Sequence, residues 1–291
     1  PRAWSKHITN KPSRTSSATS QSIRLVKMGG EHAGYELSRL QQMRNSLLQA
    51  IAAVFEESMV VPNSTAPRAC EFHQGLVKSM RPADTILTYN YDCLIDHTLK
   101  ANGNDKWSPR YGYGFNLGGH GANLVGDGFW NPQSPAKKNK SMLVLKLHGS
   151  LHFKVSDPES SQPRITLKER PYTRQHGNLK FTILAPEWAK PYDRGIFRQI
   201  WRLAGKAIHG AKNLVFIGYS IPTSDLHAAS LFRVNLRKNS LRSLVIVNPD
   251  RGARYRTREV LRKGITPETR ILVFDALKEF LDVDRSLWDS G

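Results

Sequence analysis

From residue 37 to residue 55 apolar side chains return every three or four positions: Leu37, Leu40, Met43, Leu47, Leu48, Ile51, Val54 and Phe55. That spacing puts them on one face of a helix. Pro62 and Pro67 end the pattern, and a second helix is expected over roughly 69–80. After that the rhythm changes to short apolar runs at Thr85–Tyr89, Met142–Leu147, Asn213–Ile217, Leu244–Val247 and Arg270–Phe274. Several are continuous rather than alternating, which suits strands buried on both faces of a parallel sheet. Helical patterns intervene at roughly 92–100, 193–209, 224–236, 253–262 and 276–282. Strand and helix in alternation predict an α/β fold built on a doubly wound, mostly parallel sheet, with helical and loop insertions.

Two stretches break the rhythm. Residues 103–141 are rich in Gly, Asn and aromatic residues and read as a lid, a binding insertion or a mobile excursion. Residues 155–180 read as a second insertion with one or two edge strands. Residues 1–34, rich in Ser, Thr, Lys, Arg and Gly, read as a linker or disordered start. The expected organisation is therefore one domain over 35–283, with a short tail at 284–291.

Composition narrows the class. Of the 291 residues 39% are hydrophobic, too many for a disordered chain. No apolar run approaches the ~18 residues of a membrane span, and the opening lacks the charged-then-apolar order of a secretory signal. Cys70 and Cys93 alone make neither a disulfide framework nor a CxxC zinc clamp. A soluble, cytoplasmic protein without membrane contact or metal is expected. The chain begins at Pro1 rather than Met, as expected of a processed or excised piece. Its formal charge of +19 is concentrated in two blocks, 160–215 and 233–270, the second holding Arg251, Arg254, Arg256, Arg258, Arg262 and Lys263. Such a field attracts polyanions: nucleic acid, a phosphorylated cofactor or an acidic partner subunit. A solvated basic face is the plain alternative.

In open α/β sheets ligands bind beyond the carboxyl ends of the strands. The residues there are Asn90-Tyr91-Asp92, His148-Gly149-Ser150, Gly218-Tyr219-Ser220 and Asn248-Pro249-Asp250. Any one alone reads as a helix cap or turn. Four in succession point to a ligand site.

Three longer runs resemble the sirtuin-like NAD-hydrolase domains of bacterial anti-phage defence proteins. They are Thr88-Tyr89-Asn90-Tyr91-Asp92, Lys146-Leu147-His148-Gly149-Ser150-Leu151-His152-Phe153 and Ile217-Gly218-Tyr219-Ser220-Ile221-Pro222-Thr223-Ser224-Asp225. Val247-Asn248-Pro249-Asp250 follows in the family's order and looks like its adenosine-side strand end. The resemblance implies a Rossmann-like domain that cleaves NAD, without a metal, to ADP-ribose and nicotinamide. It assigns Asn90 to the nicotinamide ribose and the attacking water, and Asp92 to the carboxamide. His148 becomes the catalytic histidine; Gly149, Gly218, Tyr219 and Ser220 line the cofactor, and Asn248 reaches the adenosine ribose. Asp225 belongs to the motif, as a cofactor contact or as the cap of the helix after it. The family also implies a homo-oligomer or a partner defence subunit.

The residue types suit that chemistry. Cleaving the bond builds an oxocarbenium-like centre, which calls for a base near neutrality and for groups that orient water and leaving amide. For His148 the plain alternative is a buried strand-end histidine bonded to backbone. His152 reads as structural or substrate-adjacent. Two features depart from the family. The glycine-rich phosphate loop is absent; Met28–Gly34 has the wrong glycine spacing, and the loop is expected upstream of residue 1. No cysteine lies between His148 and Gly218, where protein-deacylating sirtuins carry a four-cysteine zinc module. The rival expectation is a catalytically inactive module that senses ADP-ribose or docks nucleic acid or a partner.

Overall fold

A computed structural model describes residues 37–60, 68–103, 105–114, 141–156, 164–168, 182–184, 192, 195–287 and 289. Stretch 1–34, the Met28–Gly34 glycines, most of the insertion 103–141 and much of the basic block 160–215 lie outside the described residues.

The elements follow the periodicities closely. Helices α1 (Leu37–Ser58) and α2 (Glu71–Ser79) lead into strand β1 (Thr85–Thr88), helix α3 (Leu94–Asn102), a one-turn helix α4 (Pro109–Gly112) and strand β2 (Leu143–Lys146). A hairpin, β3 (Phe153–Ser156) and β4 (Arg164–Leu167), comes next. The second half alternates: α5 (Gly195–Gly210), β5 (Asn213–Ile217), α6 (Leu226–Asn235), β6 (Ser243–Val247), α7 (Arg251–Leu261), β7 (Arg270–Phe274) and α8 (Leu277–Leu281).

Among the described residues the strands form three ladders. β1 and β2 pair in parallel, Thr85 opposite Leu143. β5, β6 and β7 form a parallel sheet with β6 in the middle. β3 and β4 are antiparallel, the edge hairpin expected of the 155–180 insertion. This mixed α/β architecture is compatible with a Rossmann-like fold.

β6 is buried at all five positions, and its Leu244-Val245-Ile246-Val247 run explains why it takes the central place. α5 lays Ile196, Phe197, Ile200, Ala204 and Ile208 into the core at helical spacing. Asp225 and Asp250 cap α6 and α7 by accepting from the backbone N–H groups of Ala228 and Gly252. Each such cap is worth about 1 kcal/mol. A smaller apolar cluster packs Leu48 and Ala52 of α1, and Met59 just after it, against Cys93, Leu151 and Ile183.

Two stretches are described in part. The start of the 103–141 insertion is packed rather than excursive: Trp107 and Tyr113 are buried in the main core, their rings edge to face at 5.4 Å. Trp107 and Tyr113 thus supply core volume. The tail is docked as well. Arg285 holds Asp84 through two nitrogens, 3.0 and 3.1 Å, and also bonds Ser79 O and Asp289, tying the chain end to α2 and β1. No described helix is long and apolar enough to cross a membrane.

Candidate functional site

Because β1 and β2 run parallel, Asn90–Asp92 and His148 emerge at the same end; β5 and β6 do the same for Gly218–Ser220 and Asn248. The two pairs of tips meet. Tyr89 stacks on Tyr219, ring centres 4.1 Å apart and nearly parallel. The His148 ring stands edge-on to Tyr89 at 5.0 Å, and its Nε2 lies 3.7 Å from Asp225 Oδ2. That oxygen also accepts from the Tyr219 hydroxyl at 3.2 Å, while Oδ1 caps α6. Asp225 therefore serves both as helix cap and as the carboxylate partner of His148.

Backbone contacts fix each tip. His148 O accepts from Leu184 N, Leu147 O from the Trp201 indole, and Tyr91 O from Leu151 N. Asp92 Oδ1 accepts from Leu94 N at 3.0 Å, which turns one face of the buried carboxylate into the start of α3. Asn90 is exposed at the β1 tip. Asn248 is buried, its Oδ1 accepting from Asp250 N at 2.9 Å, so its amide donors are the groups left for a ligand.

The two glycines of the motifs differ. Gly149 has φ +84, and a Cβ there would lie 1.9 Å from Thr182 O; backbone packing requires this glycine. Gly218 has φ +68, yet a Cβ there would meet nothing within 4 Å. The left-handed backbone at this strand tip therefore leaves open space beside Gly218. Ile221, three residues on, holds φ +44, a strained conformation for a β-branched residue.

Beneath the β1–β2 tips lies a charged network that the periodicities did not reveal. Lys146 Nζ, fully buried, binds Asp96 Oδ2 at 2.9 Å and Asp92 O at 2.5 Å. Asp96 Oδ1 accepts from the Tyr113 hydroxyl at 2.7 Å, which lies 2.8 Å from His152 Nε2. His152 Nδ1 faces Ser150 Oγ at 2.9 Å and Cys93 Sγ at 3.1 Å. His152 is thereby settled as a buried link in this network, one residue past Leu151 and beneath the site. The signal for the network was the lysine itself, a charge inside the apolar run Met142–Leu147.

Electrostatics follow from burial and partners. Burial raises the Asp96 carboxyl, but Lys146, His152 and the hydrogen bonds from Lys146 and Tyr113 outweigh it and hold the group below the usual range. Burial lowers Lys146, and Asp96, Cys93 and Asp92 more than reverse it. Burial and then Asp225 push the Tyr89 phenol up; burial, Tyr89 and Asp225 push Tyr219 up. Both phenols are neutral hydroxyls at neutral pH. Among the described residues no group of His, Cys, Asp and Glu is arranged to hold a metal ion.

The fold is that of an α/β protein whose polar strand-end residues come together at the carboxyl ends of two sets of parallel strands. A family model for the SIR2-like domain matches residues 84–267, well over half of the chain, and the chain belongs to that family. SIR2-like domains use NAD, and an NAD-related function follows. No curated protein matches the chain.

Proposed function

We propose that the protein hydrolyses NAD at the nicotinamide–ribose bond, releasing ADP-ribose and nicotinamide. The observation that carries this is the seat of His148: nearly buried at the β2 tip, 3.7 Å from the Asp225 carboxylate, with Asn90 and Asp92 on the adjoining tip. In the reaction a water oxygen bonds to C1′ and the C1′–N bond breaks. The electron pair goes to the pyridine nitrogen, neutralising its charge, and the water proton is released. Asn90, at the β1 tip, orients the water; Asp92 receives the carboxamide on the carboxylate oxygen not committed to Leu94 N. His148 handles the proton, with Asp225 stabilising its charged form. Gly218 and Ser220 line the phosphates, and the Asn248 amide donates to the adenosine ribose. Tyr219 and Asp225 act from the protein side, on each other and on His148, rather than on the dinucleotide.

The absence of any cysteine between His148 and Gly218 favours cleavage of the cofactor itself over lysine deacylation. On the resemblance, the reaction is the toxic step of an anti-phage defence system, released by a partner subunit or by self-association. The test is product analysis: incubation of the purified chain with NAD yields nicotinamide and ADP-ribose in equal amounts. NAD left intact by the full chain, alone and with nucleic acid present, refutes the proposal.

A second reading rests on the exposed Arg251, Arg258, Arg262 and Lys263 of α7 and the turn after it. It makes the chain an inactive module that docks nucleic acid. Affinity that falls steeply with added salt supports it, and salt-independent binding counts against it.

A further inference from the structure

The rim beside β5 and β6 bears on which dinucleotide the site accepts, an inference that rests on the assignment of Asn248–Asp250 to the adenosine end. In dinucleotide sites of this architecture an acidic side chain near the adenosine ribose accepts from its 2′-hydroxyl, whereas an arginine accommodates a 2′-phosphate. The acidic residue of this tip, Asp250, already has a partner on each carboxylate oxygen. Its Oδ1 accepts from Gly252 N at 2.7 Å and its Oδ2 faces Arg256 Nη2 at 3.4 Å.

Arg256 stands beside it. Its Nε donates to Ser220 O at 3.1 Å, so the guanidinium bridges the phosphate-lining tip of β5 and the adenosine tip of β6. The side chain is 34% exposed. A guanidinium carries five N–H donors, and these two contacts leave the others for a ligand. Arg254, two positions earlier, is committed elsewhere: it bonds Asn248 O and Asp275 and staples the tips of β6 and β7. Arg251, exposed at the start of α7, adds to the same positive field.

We infer that Arg256 makes this a site for 2′-phosphorylated dinucleotides, so that NADP is bound and cleaved as well as NAD. The phosphate replaces the long contact to Asp250, and the 3.1 Å bond to Ser220 O keeps the guanidinium in place. The bond cleaved is the same; the 2′-phosphate remains on the product.

The test is titration calorimetry of the full chain with 2′,5′-ADP and 5′-AMP, which differ only by the 2′-phosphate, beside nicotinamide release from NADP and NAD. The wild type should bind 2′,5′-ADP at least about tenfold more tightly than 5′-AMP, the range of a charge-assisted hydrogen bond. Arg256→Gln should erase that preference and lower the NADP-to-NAD ratio of kcat/KM by about tenfold. Arg256→Lys, a point charge without the planar fork, should keep part of it. A wild type that binds 2′,5′-ADP no better than 5′-AMP, or binds neither, overturns the inference; so does a preference that survives in a folded Arg256→Gln. A preference lost in Arg256→Gln, with no nicotinamide released from either dinucleotide, upholds the inference and refutes the hydrolase. Nicotinamide released from NAD without any 2′-phosphate preference refutes the inference alone.

Discussion

The two halves of the site are held in opposite ways. The β1–β2 tips, which carry Asn90, Asp92 and His148, are fixed from beneath by the buried Lys146–Asp96 pair with Tyr113, His152 and Ser150. The β5–β6 tips sit on an apolar strand buried at every position and are fixed from the rim by Arg254 and Arg256. The difference is one of consequence. A buried charge without its partner cannot be rescued by water, so the first half keeps its geometry or fails as a unit. Rim ion pairs are weak and exchangeable, which suits a surface that must open a guanidinium to an arriving ligand.

The sharpest ways to break that contrast lie in the first half. Gly149→Ala must place a methyl group against Thr182 O in a left-handed backbone, and is expected to cost about 4 kcal/mol or more by denaturant unfolding. Lys146→Met strands the Asp96 carboxylate and should cost about 3–5 kcal/mol. The double variant Lys146→Met/Asp96→Leu should recover part of that loss, because removing both charges removes the penalty of an unpaired one. A double variant as unstable as the sum of its singles would mean the pair contributes nothing beyond packing.

The same pair sets a pH dependence. Asp96 is held below its ordinary 3.8 in the folded chain, so its contribution is present above that value and is lost as pH falls through the lower folded value. Lys146 is held above its ordinary 10.5, so its contribution is complete below that pH and fades only as pH rises through the higher folded value. Between those limits the pair is intact. Unfolding titrations below pH 4 should show a shallower loss of stability in the double variant than in the wild type; parallel acid limbs would contradict this assignment.

Smaller effects are expected in the second half. Asp225→Asn keeps a good helix cap but removes the carboxylate facing His148. Stability should change by less than about 1 kcal/mol while turnover falls by roughly tenfold or more. A variant that loses stability and turnover together would make Asp225 a cap alone. Gly218→Ala should cost only about 1–2 kcal/mol, the strain of an alanine in the left-handed region, since nothing crowds the added methyl. On the proposed function it should weaken ADP-ribose binding by taking up the open space beside the backbone.

The contrast also shows what the sequence could reveal. Every strand of the parallel ladders was legible, because runs such as Leu244–Val247 are long enough in apolar residues to declare burial on both faces. The four polar tips were legible because they end those runs. Asp225 was legible as a residue of interest but not as the partner of His148; that contact is made 77 positions apart and only after two sheets meet. The buried network stayed hidden for a related reason. Asp96, Tyr113 and His152 come from a helix, an insertion and a strand-to-hairpin turn, and no local period links them. Trp107 and Tyr113, read as part of a loop by composition, turned out to be core, since aromatic residues near glycine carry no period of their own.

The most direct test of the account is nicotinamide release from NAD by the full chain, run beside His148→Ala with thermal melts of both. Turnover by the wild type that falls at least about a hundredfold in His148→Ala, with melting temperatures within a few degrees, is the predicted result. Equal turnover in the two proteins, or no turnover by a fully folded wild type, would contradict the account.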